Sequence, residues 1–463
     1  MTDAPIQIVQ TVALRFVAIR ANLEPSEIIT QTYIFLDDVI RQSANGSAPA
    51  GFPQPRAINN KNMVYGMDPD VVDDEEYSPL IKDALLDIPS LSIVTDPDNL
   101  FDQVTGIYVN PQGEGRDWER PGSLELLNPD GTPGFQVNAG LRIRGGATRD
   151  PNNPKNAFRF IFRNEYGAGN LRYQLFGDEG VDVFDKIDIR TAQGFAWQAG
   201  PDRASENTFL RDVLSRDSER AMGNMYTRSR YYHLYLNGQY WGLYQTEERI
   251  DPDWAASYLG GDTLDYDSIK VDRGFYWQDN RWVGKVPFHI YAAEGEMDTW
   301  LQVWELARKS NRGDEQLDEN ENYFHLLGRD AEGNRDPDER VLVNVDNLIN
   351  YMVLKLYSSD HDGPISFWMD FSMPNNSYSL YNRNADEGFF FVTHDNEFAY
   401  HVTGVPDYDN RNGDWTAGNT LETSNPHWLH NRMVNNPEYR VAFADVAYRA
   451  LYNNGALTVE NNL

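Results

Sequence analysis

Two carboxylates stand one residue apart in Asp395-Asn396-Glu397, where the apolar run Phe389-Phe390-Phe391-Val392 ends. A buried strand that stops on two acids brings negative charge to one point, as a metal ion bound to phosphates requires. A second acidic group, Asp360-His361-Asp362-Gly363, follows an amphipathic segment ending near Ser358, and Asn375-Asn376 opens the next strand-like run. Phosphoryl transfer from a nucleotide asks for this set. One carboxylate takes the proton of the acceptor hydroxyl, and an Asn with further carboxylates holds Mg²⁺ on the phosphates. By residue type Asp360, Asp362 and Asp370 all qualify as the base. Asp and Asn are also favoured in turns for reasons unrelated to catalysis.

The cations are concentrated elsewhere. The stretch "LRIRGGATRDPNNPKNAFRFIFR" carries Arg142, Arg144, Arg149, Lys155, Arg159 and Arg163, opposed within it only by Asp150. Arg142 and Arg144 share one strand face, Gly145-Gly146 allows a tight turn, and Lys155 and Arg159 lie on or beside the next strand. Such a strand, glycine turn and strand can neutralise a phosphate chain. Glu247-Glu248, at the end of "GLYQTEE", can orient Lys155, since a buried lysine needs a partner. His361, His394 and His401 lie beside the acids and allow a second chemistry, metal-dependent hydrolysis, although their spacing matches no metal motif.

The chain has 463 residues and a formal net charge of −31, from 71 acidic and 40 basic residues. So acidic a surface argues against nucleic acid or an anionic membrane as partner. With no cysteine, disulfide scaffolds, thiolate zinc sites and cysteine nucleophiles are excluded. No run has the roughly 18 apolar residues that argue for membrane insertion, and no signal-peptide pattern is legible at the N-terminus.

The elements that must position these groups follow from the pattern. Residues 8–36 alternate apolar and polar as two strands, broken at Asn22–Pro25, and residues 37–92 are loop-rich with a helix near Tyr77–Leu86. From about residue 100, "LFDQVTGIYVN" reads as strand and turn. Strands flank the turn Asn128-Pro129-Asp130-Gly131, and "AFRFIFR" is another strand. "NTFLRDVLSRDSERAMG" is a helix stopping at Gly223, followed by a hairpin about Asn237-Gly238. Beyond residue 290 the chain turns helical, with "MDTWLQVWELARKS" and "NVDNLINYMVLKLYSS", the latter capped by Asp346. A strand pair, "YSLYNR" and "GFFFVTHD", precedes the closing helix "PEYRVAFADVAYRALY". Trp277, Trp282, Trp300 and Trp304 belong to a core or to a ligand face.

The order of these motifs resembles the CotH (spore-coat protein H) kinase family. The likeness runs from about Ile93 to Tyr400 through the Arg-x-Arg-Gly turn, Pro154-Lys155, the Leu-Arg-led helix "FLRDVLSRDSERAMG", the hairpin "YYHLYLNGQYWGLYQTEERID" and the two acidic groups. The strands "TVALRFVAIRANLEPSEIITQTYIF" are similar to the last part of a chitobiase C-terminal-type β-sandwich. The resemblance implies an α+β, two-lobed atypical protein-kinase-like fold, with a β-rich N-terminal lobe and a helix-rich C-terminal lobe. It divides the chain into a strand segment (1–36), a linker region (37–92) and a kinase-like domain (93–463).

The same resemblance implies ATP-dependent phosphorylation of Ser or Thr on a protein acceptor, with Mg²⁺ or Mn²⁺, by a bacterial protein at an extracellular or cell-surface location. Asp362 would be the catalytic Asp, and Asn376, Asp395 and Glu397 would hold the metal. Arg142, Arg144, Lys155 and Arg159 would face the phosphates, and Glu248 would pair with Lys155. The sequence departs from the family pattern at three points. "PISFWMDFSMP" lies between Asp362 and the Asn pair, Glu397 replaces the second Asp of Asp-x-Asp, and a single lysine follows Pro154. These departures make a catalytically silent surface or binding module the alternative.

Overall fold

The computed structural model describes residues 5–192, 207–272, 275–278, 281–284, 289–308, 316–366, 373–400 and 420–462. The chain forms an α+β protein of two compact units. The first comprises Met1–Asn207 and Ser229–Glu248, the second Thr208–Arg228 and Arg249–Leu463.

The first unit is built on strands. β1 (Val12–Phe16) and β2 (Ile29–Tyr33) form an antiparallel pair. After the helix α1 (Ile81–Asp87) come β3 (Ser90–Val94), β4 (Arg120–Leu127), β5 (Gln136–Arg144) and β6 (Ala157–Ile161). Then follow the short pair β7 (Leu171–Arg172) and β8 (Val183–Phe184), β9 (Lys186–Arg190), β10 (Tyr231–Leu236) and β11 (Gln239–Glu247). Seven of these close a barrel in the order β10-β11-β9-β6-β5-β4-β3, with β10 and β3 parallel. Alternation decides what enters it. Val137, Ala139, Leu141 and Ile143 of β5, Phe158 and Phe160 of β6, and Ile187 and Ile189 of β9 are buried in one core. Arg142, Arg144, Arg159 and Asp188 point to the opposite face of the same strands. The hairpin β1–β2 is tied to the barrel by polar groups. The Thr30 hydroxyl donates to Ser123 Oγ at 2.8 Å, and the Thr32 N–H donates to Glu125 Oε1 at 3.1 Å.

The second unit pairs a four-stranded antiparallel sheet with helices. β12 (Tyr266–Asp272), β15 (His289–Glu294), β16 (Tyr378–Asn382) and β17 (Phe390–Val392) run in the order β15-β12-β16-β17, and β13 (Phe275–Gln278) and β14 (Arg281–Gly284) make a separate hairpin. The helices are α2 (Arg211–Ala221), α3 (Pro252–Leu259), α4 (Asp298–Ala307), α5 (Asn320–Leu326), α6 (Val345–Ser358), α7 (Pro426–Met433) and α8 (Pro437–Leu451). Leu348, Ile349, Met352 and Val353 place the apolar stripe of α6 in the core with Phe389 and Phe391. Among the described residues no helix is long and apolar enough to cross a membrane.

Two local expectations are corrected. "LFDQVTGIYVN" holds no strand. Asp96 caps a single helical turn, Pro97–Phe101, and the Asp102 carboxylate then accepts the N–H groups of Val104 (2.9 Å) and Thr105 (2.7 Å). Side-chain capping of this kind competes directly with a strand ladder. The cap of α6 is Asn344, whose Oδ1 accepts the Asn347 N–H at 3.0 Å, while Asp346 sits inside the first turn. Among the tryptophans, Trp300 is core and Trp304 packs partly buried beside it, whereas the side chains of Trp277 and Trp282 lie outside the described residues.

Trp300 packs α4 on β17 and the residue before it: its ring meets Phe389 edge-on at 5.0 Å and Phe391 at 6.3 Å, and its indole N–H donates to Ser424 Oγ at 2.8 Å. Trp300→Ala is expected to lower stability by about 3–5 kcal/mol, read as a shifted urea midpoint. A loss under about 1 kcal/mol would contradict this packing.

Candidate functional site

The acidic groups of the second unit meet where α6 and β17 end. α6 stops at Ser358, and Ser359 turns left-handed (φ 51°) to release the chain into Asp360-His361-Asp362. β17 stops at Val392, and Asp395 is again left-handed (φ 56°). Asn376, which leads into β16, is the third (φ 40°). Asn and Asp tolerate this backbone better than other residues with a side chain, so Ser359 is the costlier of the three. The two acidic segments are joined by the His361 N–H to Phe398 O (3.2 Å) and the Tyr400 N–H to Ser358 O (2.6 Å).

The chain between Asp362 and the Asn pair returns on itself. Ile365 and Pro374 form an antiparallel bridge, and the Asn375 N–H donates to Pro364 O at 3.0 Å. This brings both amides to Asp362. Asn375 Nδ2 donates to Oδ1 at 2.9 Å, Asn376 Nδ2 donates to Oδ2 at 3.1 Å and to the Asp362 carbonyl at 2.9 Å, and the Ser366 hydroxyl also donates to Oδ1. Burial raises the Asp362 carboxyl to about 7. Ser366 and Asn375 oppose that shift as hydrogen-bond donors, while the negative charges of Asp395 and Asp360 add to it. A carboxyl so placed is poised for proton transfer near neutrality. Asp360 is engaged differently, in a buried ion pair with Lys355 (Nζ to Oδ2, 2.8 Å), and it accepts the Asp362 N–H at 3.1 Å. Asp370 and His401 lie outside the described residues.

The floor of this region is α2, whose buried face is polar. Asp212 Oδ1 accepts the Asn396 N–H at 2.9 Å, and Asn396 Nδ2 donates to Ser215 Oγ at 2.6 Å. The Glu219 carboxylate accepts the Thr393 N–H at 3.0 and 3.1 Å. Burial raises Glu219 to about 8, against the pull of the Thr393 N–H and of Lys355.

A divalent cation of the Mg²⁺ or Mn²⁺ type takes oxygen ligands. Both bonds from the Asn376 amide nitrogen go to Asp362, so its carbonyl oxygen, a hard acceptor, is not used in them. By donor chemistry Asn376, Asp395 and the partly buried Glu397 are oxygen ligands of the kind such an ion takes. Among the described residues no group of three or more His, Asp or Glu forms a ready metal cluster. His361 turns to the Phe398 carbonyl (3.3 Å) and His394 packs edge-on to Tyr378 (4.8 Å).

In the first unit the register sets Arg142, Arg159, Asp188 and Glu247 side by side across β5, β6, β9 and β11. Arg159 grips Asp188 with two bonds, Nε at 2.6 Å and Nη2 at 2.7 Å, and Arg144 Nε joins it at 2.9 Å. Arg144 and Arg190 also reach Glu247 at 3.2 and 3.5 Å, while Arg142 and Arg163 bind Glu119. The cations thus face acids outside their own stretch, Asp188 and Glu247 on other strands and Glu119 just before β4, whereas within the stretch only Asp150 opposes them. The nearby arginines hold the Asp188 carboxyl below the usual range despite its burial.

Lys155 does not pair with Glu248. Its ammonium donates to the Trp241 carbonyl at 2.6 Å and makes no ion pair among the described residues. Gly242 (φ 123°) makes room for it, since a Cβ there would lie 2.5 Å from Nζ. From Gly242 to Glu248 an extended chain covers about 20 Å, which puts the glutamate out of reach. Burial lowers Lys155 to about 8.

The second unit of this α+β chain thus gathers two acidic loops around a raised Asp and an amide pair. The family model described as CotH kinase protein matches residues 141–459, more than two thirds of the chain, and the chain belongs to that family. No match to a curated protein is found.

Several participants escaped the sequence reading. Lys355 was detectable, as it falls on the same stripe as Leu348 and Met352, where a cation must find an acid. The polar face of α2 left a fainter trace, a helix whose buried positions are Asp212, Ser215, Arg216 and Glu219. Outside this region, the first unit buries Lys61 against the Tyr108 carbonyl (2.9 Å), and burial lowers it to about 7.

Because the folded pKa of Glu219 lies above its ordinary value of 4.5, the native state keeps a proton that the unfolded state releases. Stability contributed by this group is complete below about pH 4.5 and falls as pH rises towards 8, by up to about 1.4 kcal/mol per unit. Glu219→Gln is expected to flatten that decline in urea titrations between about pH 6 and about pH 8.5. An unchanged slope would exclude Glu219 as its source.

Proposed function

We propose that this protein transfers the γ-phosphate of ATP to Ser or Thr of a protein acceptor, with Mg²⁺ or Mn²⁺. The observation that carries the reading is the Asp362 carboxyl, held by the Asn375 and Asn376 amides and raised to about 7 beside Asp395. In its ionised form Asp362 takes the proton of the acceptor hydroxyl. That oxygen bonds to the γ-phosphorus as the bond to the β–γ bridging oxygen breaks, and ADP leaves. The divalent ion supplies charge neutralisation on the phosphates. Asn376 and Asp395 hold it, and Glu397 is their third partner.

Arg142, Arg144, Lys155 and Arg159 serve the nucleotide phosphates, with Glu248 at the end of the same sheet. The proposal includes the two-lobed, kinase-like arrangement implied by the family resemblance, and a bacterial, extracellular or cell-surface setting. The net charge of −31 supports a protein acceptor over nucleic acid. A catalytically silent module is the second reading. It is favoured by Glu397 in place of Asp and by the prior commitment of the arginines to Glu119, Asp188 and Glu247.

A thermal-shift titration with ATP, with and without Mn²⁺, is the test of binding. The expected result is a metal-dependent rise in Tm that grows with ligand above Kd and is lost in Asp395→Ala. Absence of any shift at millimolar nucleotide and metal would overturn the active reading.

A further inference from the structure

One buried ammonium touches both acidic segments of the second unit. Lys355, on the last turn of α6, is 3% exposed, and so is Asp360, while Asn396 is fully buried. Lys355 Nζ donates to Asp360 Oδ2 at 2.8 Å and to Asn396 Oδ1. Asp360 lies two residues before Asp362 and accepts its N–H, and Asn396 directly follows Asp395. Asn396 is in turn fixed to α2 through Asp212 and Ser215. The backbone bonds between the segments involve Ser358, His361, Phe398 and Tyr400. At the acid-bearing ends Lys355 supplies a further tie, through side chains.

We propose that Lys355 and Asn396 are positioning residues. Their contact sets the spacing of Asp362 and Asp395, and with it the affinity of the site for a divalent cation. The inference rests on the reading above that Asp395 and Asn376 hold the metal. A buried lysine with a single carboxylate and a single amide oxygen as acceptors has little freedom to shift. Moving either loop would leave a buried charge without its partner, so the geometry is enforced from below and not by the ion. Neither residue touches the reacting atoms.

The experiment uses the full chain and Mn²⁺ alone, with binding measured by electron paramagnetic resonance and backbone hydrogen exchange followed in parallel. Lys355→Met removes both contacts. Asn396→Ala keeps the Lys355–Asp360 pair and so remains informative if Lys355→Met does not fold. Folded variants are expected to bind Mn²⁺ about tenfold more weakly or worse. In Asn396→Ala, exchange is expected to rise at 359–363 as well as at 393–398. If wild type binds Mn²⁺ and folded Asn396→Ala binds it equally well, the proposal is overturned. Failure of wild type to bind Mn²⁺ would remove the metal assignment itself, and the exchange data then decide the coupling: a rise confined to 393–398 overturns it, and a rise at both segments upholds it.

Discussion

A lysine ammonium carried into a protein interior must be met by oxygen, and around Lys355 that requirement organises the second unit. Its position on α6 is set by the apolar stripe of the helix, so the charge arrives in the core whatever the loops do. Asp360 and Asn396 answer it, and each belongs to a loop that carries a further acid. The left-handed residues Ser359 and Asp395 follow from the same constraint, because the chain must turn sharply after α6 and after β17 to present these groups. The buried polar face of α2 then satisfies what remains, taking the N–H groups of Thr393 and Asn396.

The barrel of the first unit meets a related problem with a different device. Along β5, β6 and β9 side chains alternate between the two faces, so the apolar residues that fill the interior oblige their neighbours to face outward. Antiparallel register then sets arginines of β5 and β6 against acids of β9 and β11. Asp188 with Arg144 and Arg159 is a charge-assisted cluster in which three guanidinium bonds converge on one carboxylate. An anion approaching this face meets arginines already neutralised in part. It must compete for their remaining donors.

Much of this organisation was legible in the residues themselves. The hairpin about Asn237-Gly238, the strand ending at Val392 and the helix ending near Ser358 are local features with strong signals, and they appear where the patterns put them. The return of Asn375 and Asn376 to Asp362 was not legible, since it depends on a bridge between Ile365 and Pro374 across intervening residues. The acid partner of Arg159 was hidden for a related reason: Asp188 lies on another strand, and register is a property of the sheet. Lys155 illustrates the opposite error. Glu248 was expected beside it on grounds of charge, but strand length keeps them apart and a carbonyl serves instead.

The chain belongs to the CotH kinase protein family, and the activity proposed for it turns on one carboxyl. Asp362 is the group whose protonation state would gate transfer. The direct measurement is label transfer from γ-labelled ATP to the chain itself and to generic acceptor proteins with Mn²⁺ or Mg²⁺, followed from about pH 5.5 to about pH 8.5. The account predicts incorporation into Ser or Thr that rises through about pH 7 as Asp362 ionises, and its loss in Asp362→Asn. Equal incorporation by Asp362→Asn, or none by the wild-type chain at any of these pH values, would contradict it.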